Sequence, residues 1–506
     1  MLDRISKFAD TSPDRLAFVV AGPHGAKESL TFAELGASVN ATAVLYSTAG
    51  VGPGDVLVVA LRNSASYLSL VFGAWRRGVP VVLVSPWLPA EDRDQLLDLV
   101  AREVGRPVLA DTRPHRRYDT FVPGPAGSLD FVAAPDADRS GGPAVAEDSP
   151  YLYVTSGGST GLPKIVEYRM RFAGGSNTPY DKAGLRIGDH GRTPGSATRL
   201  ICGNLFHTGN FAPSLHVLLT GSAVITMTEF DPALMCDLLR AHDVYSLGIT
   251  PLHMANVLTM PDLDRSLFTG LSRVTHGAAT CPGWVKRGWI DLVGPERLFE
   301  IYYSSELGGA TSPVIVNGVE WLRRPGTVGK PEGALILDDE GNRVGPGVVG
   351  EVFFREAHGR AHTYVGDREL RTAGSAPGHV SVADLGWLDE DGFLFLADRT
   401  SDRMVIAGHE VRPGPVEEVI SGHPDVADVA VVGLAGEDGE LILHALVQPR
   451  PGAVMTVAQV LERCREALSP QEVPAVVRFT TALPRTEEGK MRRSVVRSLA
   501  GAEPTT

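Results

Sequence analysis

The chain of 506 residues has only four cysteines, Cys202, Cys236, Cys281 and Cys464, and no two of them form a C-x-x-C pair. Such scatter suggests neither a zinc site nor a disulfide framework, so a reducing compartment is expected. The N-terminus, MLDRISKFADTSPDR, carries charges throughout and has no apolar signal region. These absences together indicate a cytoplasmic protein.

Long hydrophobic runs and an excess of positive charge are also missing. The apolar runs at 56–61 and 79–84 are too short to span a bilayer and are typical of buried parallel strands. The 47 Lys and Arg residues against 60 Asp and Glu residues give a net charge of −13. This charge argues against nucleic acid or an anionic membrane as a bulk partner, so a polyanion must bind in a local pocket.

The length of the chain predicts two or more domains, because it exceeds what one ordinary core supports. Residues 1–150 and 198–310 alternate helical patterns with short apolar strands, which indicates βα units and mainly parallel sheets. Residues 345–398 contain short strands with turns, and residues 402–506 combine two strands with an amphipathic helix. The predicted fold class is therefore α/β.

The segment PYLYVTSGGSTGLPKIVEY, residues 150–168, is the most informative part of the sequence. It sets a loop rich in Gly, Ser and Thr, ending in Lys164, between two apolar, β-branched runs. Small residues let backbone N–H groups turn inward as an anion nest, hydroxyls add donors and Lys164 adds positive charge. The loop predicts binding of a nucleotide triphosphate, with contacts from Thr155, Ser156, Gly157, Gly158, Ser159, Thr160, Gly161 and Lys164.

Three other interpretations compete for this loop. A Walker loop requires Gly directly before the Lys, whereas Leu162 and Pro163 precede Lys164. The G-x-S-x-G pattern would make Ser159 the nucleophile of an α/β-hydrolase on a strand-to-helix turn. Pro163 disfavours a helix there, and the apolar residues that follow indicate strand, loop and strand. A mobile surface loop explains the composition but not the Lys that follows Pro163.

The segment closely resembles the signature loop of the adenylate-forming superfamily, which includes acyl-CoA synthetases, luciferases and the adenylation domains of peptide synthetases. The usual form is roughly TSG-[ST]-TG-x-PK-G; here Gly158 stands in the serine position and Ile165 where Gly is usual. Further matches follow in family order to residue 493. The resemblance implies a large N-terminal region of mainly parallel sheets with a small barrel-like part, followed by a small, mobile α+β C-terminal domain.

Two segments resemble the adenine-binding parts of the family. Residues 300–306 resemble G-Y-G-x-T-E, which implies that Tyr302 lies against adenine and that Glu306 holds Mg²⁺ on the triphosphate, a suitable oxygen ligand for that ion. Tyr303 replaces the usual Gly and Ser305 the usual Thr. The resemblance assigns to the nucleotide site Tyr302, Tyr303, Ser304, Ser305, and the small-residue stretch Gly277, Ala278 and Ala279.

Residues 204–209 resemble P-x-F-H-x-x-G, in which His207 borders the carboxylate site. The same resemblance places the acyl group against His207, Phe211, Gly277 and Gly309. Residues 382–384 match T-G-D, with Ala383 in place of Gly. The match implies that Asp384 binds the ribose hydroxyls, because two carboxylate oxygens accept two O–H bonds, and that Arg399 is a further donor.

The C-terminal motifs imply a two-conformation enzyme. The resemblance divides the chain into residues 1–400, which hold the ATP and acyl pocket, and residues 401–506, with the hinge at Ser401. Gly408 matches the loop that admits a pantetheine arm in the second conformation, and Arg412 would meet a CoA phosphate. Residues 483–490 resemble L-P-x-T-x-x-G-K, so Lys490 would act on the acyl carboxylate and α-phosphate.

The implied activity is that of an acyl-CoA ligase. ATP and a carboxylic acid form acyl-AMP and pyrophosphate with Mg²⁺, and the CoA thiol then displaces AMP. A separate carrier protein is the alternative acceptor, and a non-catalytic acyl-adenylate-binding relative is a third interpretation. Gly277, Ala278 and Gly309 leave room for a bulky cyclic or aromatic acid. Because Gly158, Tyr303, Ser305 and Ala383 all depart from nucleotide-binding motifs, we hypothesise weak adenylation and stronger thioesterification.

Overall fold

The computed structural model describes residues 2–25, 27–124, 128–136, 152–156, 164–168, 198–307, 314–356, 364–366, 370–399, 402–436 and 439–501. The helices are α1 (Leu2–Thr11), α2 (Phe32–Thr48), α3 (Ala65–Arg76), α4 (Ala90–Glu103), α5 (Thr208–Leu219), α6 (Pro232–Ala241), α7 (Pro251–Leu258), α8 (Gly283–Val293), α9 (Gly318–Arg323), α10 (Pro413–Ser421), α11 (Val457–Ala467) and α12 (Arg493–Gly501). No helix among these residues is long and apolar enough to cross a membrane.

The strands of the first half are β1 (Leu16–Ala21), β2 (Lys27–Thr31), β3 (Asp55–Ala60), β4 (Val81–Leu83), β5 (Arg106–Asp111), β6 (Thr120–Pro123), β7 (Leu129–Val132), β8 (Leu152–Thr155), β9 (Ile165–Tyr168), β10 (Thr198–Ile201), β11 (Val224–Met227) and β12 (Val244–Ile249). Those of the second half are β13 (Arg273–Gly277), β14 (Leu298–Tyr302), β15 (Val314–Asn317), β16 (Thr327–Gly329), β17 (Leu335–Leu337), β18 (Gly350–Arg355), β19 (Arg371–Thr372), β20 (His379–Ser381), β21 (Asp384–Leu388), β22 (Leu394–Arg399), β23 (Met404–Ile406), β24 (His409–Val411), β25 (Val426–Ala435), β26 (Leu441–Pro449) and β27 (Val476–Phe479).

Two large sheets are parallel in their centres and antiparallel at their edges. The first has the order β15-β14-β13-β12-β10-β11-β1-β2, and the second has the order β7-β6-β5-β3-β4-β8-β9. Their central strands are buried along their length, as β3 and β4 show, which explains the apolar runs at 56–61 and 79–84. One hydrophobic core joins residues of both sheets, including Phe18, Leu57 and Val224, with helices α2, α3 and α5. The predicted α/β class with mainly parallel sheets is confirmed.

A third sheet is antiparallel, with the order β16-β22-β21-β18-β20-β19 and with β17 paired to β18. It corresponds to the part that the resemblance describes as barrel-like, but its described strands form an open sheet. Strand β22 ends at Arg399.

Residues 402–501 form further elements of mixed α and β type. The hairpin β23-β24 precedes a sheet of order β25-β26-β27, and helices α10 and α11 contribute to a core of their own with that sheet, including Val416, Val431 and Cys464. Helix α12 packs on the other face of the sheet through Val496 and Ala500. The small α+β C-terminal part is thus as predicted, whereas its mobility and the hinge at Ser401 stay predictions, since residue 401 lies outside the described ranges.

Candidate functional site

The carboxyl ends of parallel strands bring the candidate residues to one edge of the first large sheet. Strands β10, β12, β13 and β14 run parallel, with His276 of β13 paired to Glu300 of β14. The segments that follow β10, β13 and β14 are those that contain His207, Ala278 and Glu306. This edge is where ligands bind in open α/β sheets.

The ends of the predicted phosphate loop lie on an antiparallel pair of strands, β8 and β9. The Ser156 N–H donates to the Lys164 carbonyl at 2.8 Å, and the Lys164 N–H donates to the Ser156 hydroxyl at 3.1 Å. Thr155 donates its hydroxyl to the Leu83 carbonyl at 3.1 Å, which ties the loop to β4. The two strands predicted to flank the loop are confirmed as an antiparallel pair. Gly157, Gly158, Ser159, Thr160 and Gly161 lie outside the described residues.

Tyr364 connects Lys164 to Glu306. The Lys164 ammonium lies 4.7 Å from the centre of the Tyr364 ring and 3.5 Å from its hydroxyl. That hydroxyl donates to Oε1 of Glu306 at 3.2 Å. None of the motifs in the sequence singled out Tyr364, because it belongs to a segment with no recognised pattern.

A second group joins Tyr302, Asp384 and Arg399. The Tyr302 hydroxyl donates to Oδ2 of Asp384 at 2.5 Å, and Nε of Arg399 donates to Oδ1 at 3.2 Å. Burial, followed by the Asp384 charge, raises the pKa of Tyr302 well above its usual value. The tyrosine therefore stays a neutral donor, and both oxygens of the Asp384 carboxylate are oriented by side chains.

Backbone constraints explain the small residues of the site. A Cβ on Gly277 would lie 2.5 Å from the Ile301 carbonyl, so the approach of β13 to β14 requires glycine there. Ala278 and Ala383 have φ angles of 74° and 67°, which L-residues other than glycine adopt at a cost. Ala383 thus keeps the left-handed conformation at the position where the family usually has Gly.

The replacements after β14 form hydroxyl contacts. Tyr303 shares a hydrogen bond of 2.7 Å with the Tyr168 hydroxyl of β9, and Ser305 shares one of 3.3 Å with Thr208 at the start of α5. The Ser304 hydroxyl accepts from the Leu307 N–H at 3.2 Å. Tyr303 therefore links the two large sheets beside the predicted nucleotide site. Ala279 lies half-buried in the turn after β13.

The final motif forms a tight turn that carries Lys490 into the site. The Thr486 N–H donates to the Lys490 carbonyl at 2.8 Å, and Gly489, with φ at +84°, packs so closely on Leu252 that a Cβ would lie 2.8 Å from its Cβ. Burial lowers the pKa of Lys490, as does the Arg399 charge, while Glu306, Glu488 and Asp384 act in the opposite direction. The Lys490 ammonium therefore lies among the charged residues of both groups described above.

Glu488 contacts His207, and the sequence motifs did not identify Glu488 as a residue of the site. Its carboxylate forms an ion pair with Nε2 of His207, and the residue is 4 % exposed. Burial alone would raise the pKa of Glu488, but the charge and hydrogen bond of His207, a backbone hydrogen bond and Lys490 together lower it. Glu488 is therefore ionised beside the residue predicted to border the substrate carboxylate. The sequence offered no signal, since this position of the final motif is variable in the pattern.

A cleft of about 330 Å³ opens next to this ion pair. Its wall includes Asn204, from the loop that carries His207, and Glu487, which precedes Glu488. His253 also lines it, stacked on Phe230 with ring centres 3.8 Å apart. Burial lowers the pKa of His253 to about 4, so this histidine is neutral at physiological pH.

Other predicted residues lie apart from this constellation. Phe211 is fully buried in the core, where its ring meets the edge of Trp75. Gly408 lies in an exposed turn, and a Cβ there would have no heavy atom of the described structure within 4 Å. Arg412 is the residue just before α10, and its Nε lies 3.9 Å from the Glu410 carboxylate. Gly309 and Ser401 lie outside the described residues.

The donor set suits Mg²⁺ and a nucleotide. Among the described residues, no three or more His, Cys, Asp and Glu side chains gather as a metal site. Mg²⁺, however, is commonly bound through one or two carboxylates together with phosphate oxygens and water, and Glu306 offers such a carboxylate near Lys164. Asp384 offers two oriented oxygens for a diol, so the residues fit both groups.

Two family models together match most of the chain. The family model described as AMP-binding enzyme matches residues 5–365, and the model of the AMP-binding enzyme C-terminal domain matches residues 415–490. The chain is 26 % identical over 487 residues to a fatty acid–[acyl-carrier-protein] ligase, ScoC, of Streptomyces coeruleorubidus, covering 93 % of this chain and 91 % of that protein.

Two further relatives are succinylbenzoate–CoA ligases. That of Geobacillus kaustophilus is 25 % identical, covering 98 % of this chain and 97 % of the relative. The structure of the o-succinylbenzoate CoA synthetase of Bacillus subtilis, in complex with its acyl-adenylate intermediate, superposes with a TM-score of 0.77 at 21 % identity. The alignment covers 99 % of this chain and 98 % of that one, so the two share a fold over their whole length.

Proposed function

The chain belongs to the family of AMP-binding enzymes, and we propose that it is an AMP-forming acid–thiol ligase. Its substrates are a carboxylic acid, ATP and coenzyme A, and its cofactor is Mg²⁺. The reaction has two steps, formation of acyl-AMP with release of pyrophosphate and displacement of AMP by the thiol.

One observation carries the proposal, namely that Lys490 lies, partly buried, where the charges of four residues act on its ammonium: Arg399, Glu306, Glu488 and Asp384. These residues come from distant parts of the sequence, yet their charges act on one ammonium group. Such a cluster of oppositely charged, partly buried groups is typical of a functional site. A non-catalytic relative would have no need of this arrangement, which argues against that alternative.

In the first step, we assign Asp384 to the two ribose hydroxyls and Tyr302 to the face of the adenine. The Lys490 ammonium stabilises the negative charge that grows on the α-phosphate and on the attacking carboxylate. His207 borders that carboxylate. When bound at Glu306, Mg²⁺ would neutralise charge on the triphosphate and make pyrophosphate a better leaving group.

In the second step, we assign the exposed Gly408 turn to the thiol channel. Reaching the site requires rotation of residues 401–506 about Ser401, so the arrangement described above corresponds to the first step. CoA is the first choice of acceptor, because several relatives are CoA ligases. A carrier protein is the second candidate, favoured by the similarity to a fatty acid–[acyl-carrier-protein] ligase.

The acid is proposed to be bulky and cyclic or aromatic, because Ala278 and Gly309 have little or no side chain. Gly277 no longer supports this proposal, because the Ile301 carbonyl fills the space beside it. Adenylation is proposed to be the slower half-reaction, since Tyr303, Ser305, Gly158 and Ala383 all depart from nucleotide-binding motifs. A triphosphate misplaced by about 1 Å can react on the order of 10²-fold more slowly.

The test is a screen of aromatic, cyclic and straight-chain acids for CoA-dependent release of AMP, with Lys490→Ala as the matched control. We expect AMP release with at least one acid for the wild type, and loss of acid-dependent pyrophosphate exchange in the variant. The variant should still form thioester from synthetic acyl-AMP. If AMP is released only with a carrier protein, the acceptor is that protein and not CoA. Pyrophosphate exchange at the wild-type rate in Lys490→Ala would contradict the assignment of Lys490.

A further inference from the structure

Two opposite charges of the site, Lys164 and Glu306, lie on either side of one aromatic side chain. The Lys164 ammonium is 4.7 Å from the ring centre of Tyr364, whereas Oε1 of Glu306 accepts the Tyr364 hydroxyl proton at 3.2 Å. The ring thus offers its negative face to the cation and its polar edge to the anion. Both contacts match the charge distribution of a tyrosine.

The backbone holds Tyr364 firmly between these partners. Tyr364 forms an antiparallel bridge with Val166 of β9, and the Val365 N–H donates to the Ile165 carbonyl at 2.9 Å. Only 9 % of Tyr364 is exposed, and the residue belongs to the large hydrophobic core. Since Lys164 directly precedes β9, Tyr364 is fixed to the same strand that fixes Lys164.

Without a spacer, an ammonium and a carboxylate that both lie within 3.5 Å of one hydroxyl would attract each other and form a direct ion pair. Such a pair would neutralise the charges with which Lys164 binds a triphosphate and Glu306 binds its metal ion. Tyr364 satisfies Oε1 of Glu306 with a neutral donor, and no donor within the described ranges bonds to its Oε2. It also supports the ammonium of Lys164 without neutralising it.

We propose that Tyr364 is a positioning residue that keeps Lys164 and Glu306 apart and oriented for a Mg²⁺-bound triphosphate. This inference rests on the proposed function and adds to it a residue that acts only on the part of ATP beyond the α-phosphate. AMP lacks that part, so Tyr364 contributes to the binding of Mg·ATP and not to the binding of AMP.

The experiment measures the affinity of the full-length protein for Mg·ATP and for AMP by calorimetry, without any acid. Tyr364→Phe keeps the ring and removes only the hydroxyl that orients Glu306. A matched control is Tyr118→Phe, which also removes a tyrosine hydroxyl that donates to a carboxylate, at 3.0 Å from Asp98, at the surface and outside this site. Tyr364→Phe should lower the affinity for Mg·ATP about tenfold or more, because a hydrogen bond to a charged group is lost. The affinity for AMP should stay within about twofold of the wild-type value.

Each other outcome has one meaning. If the binding of Mg·ATP and of AMP weakens equally, Tyr364 only supports the fold of the site. If both affinities are unchanged, Glu306 is oriented without Tyr364. Either result overturns this inference and leaves the proposed function standing. If the wild type binds no Mg·ATP, the proposed function fails, and this inference fails with it. Tyr118→Phe should bind both nucleotides as the wild type does.

Discussion

At the scale of single residues, Glu488 places a negative charge beside the predicted site of the substrate carboxylate. Its ionised carboxylate touches His207, the residue predicted to border the carboxylate of the acid. A substrate carboxylate that approaches His207 therefore meets an anion of the same sign in a partly buried site. Two unit charges about 5 Å apart at an effective dielectric constant of about 20 repel each other by about 3 kcal/mol. We infer that Glu488 weakens binding of the acid in the first conformation.

The positive charge of Lys490, which acts on Glu488, offsets about half of this repulsion, so Glu488→Gln should lower the KM of the acid about tenfold and leave the KM of ATP unchanged. Glutamine keeps the size of the side chain and a hydrogen-bond acceptor for His207 but removes the charge. The measurement is pyrophosphate exchange at varied concentrations of the acid and of ATP.

Glu487→Gln is the matched control, because it removes the same charge one residue earlier, and Glu487 forms an ion pair with Arg492 and not with His207. It should leave both KM values within about twofold of the wild type. A KM for the acid that rises in Glu488→Gln would mean that Glu488 assists binding, by holding His207 in place.

The residues that could be predicted from the sequence are those at fixed positions of the family motifs. Lys490, Asp384, Tyr302 and Arg399 do come together in the structure. Tyr364 and Glu488 could not be predicted, since each acts through a contact between segments distant in sequence. Their positions depend on which side chain faces a neighbour in three dimensions, which no local pattern records.

At the scale of elements, Arg493 at the start of α12 joins the end of β22 to α10. Its guanidinium lies 3.9 Å from Asp398, 3.2 Å from Asp402 and 2.7 Å from Glu417. Asp398 also accepts the Gly414 N–H at 3.0 Å. Burial nevertheless raises the pKa of Asp398 to about 6. The charge of Asp398 is thus poorly stabilised at the point where β22 leads to the predicted hinge.

This raised pKa makes stability depend on pH. Well below pH 4, Asp398 is protonated in both the folded and the unfolded state and does not affect the free energy of unfolding. As the pH rises towards 6, the unfolded state ionises more readily, so the folded state loses stability, by up to about 3 kcal/mol above pH 6. Asp398→Asn lacks this dependence.

The stability gain of Asp398→Asn over the wild type should accordingly grow by about 1–2 kcal/mol between pH 5 and pH 7.5. The measurement is hydrogen exchange of α10 and α12 amides in both proteins at both pH values, so that the intrinsic exchange rates cancel. A gain that shrinks as the pH rises would mean that the Arg493 charge outweighs burial at Asp398.

Elements with strong apolar patterns could be predicted from the sequence. Strands β3 and β4 lie in the apolar runs at 56–61 and 79–84, and strands β25 and β26 and helix α11 are the two strands and the amphipathic helix expected in residues 402–506. The open shape of the third sheet could not be predicted from the sequence, because closure depends on how short strands that are distant in sequence pair with each other. Strands β17, β19 and β20 have only two or three residues each. Such short strands have too few side chains to show a period.

At the scale of the whole molecule, the two predicted functional turns of the C-terminal part differ in position. The turn of Lys490 lies against Leu252 and among the charges of Asp384 and Arg399. The turn of Gly408 is exposed and touches none of the described site residues. If both act on the same acyl group, they must do so in turn. The proposed rotation about Ser401, which the family resemblance implies, would bring the two turns to the site one after the other.

The last prediction separates the two steps at Gly408. Gly408→Leu should leave pyrophosphate exchange unchanged, since the turn is exposed in the arrangement that forms acyl-AMP, and should slow thioester formation from synthetic acyl-AMP. A side chain in the thiol channel displaces the thiol by an ångström or more, which can cost on the order of 10²-fold in rate.

Gly408 has a φ of +77°, so any side chain strains the turn. Gly408→Ala carries the same strain with little bulk and is therefore the matched control. Thioester formation should fall far more in the leucine variant than in the alanine variant, and acyl-AMP should accumulate only in the former. Equal rates in the two variants would mean that Gly408 does not line the channel, and the assignment of CoA to this face of the molecule would have to be abandoned.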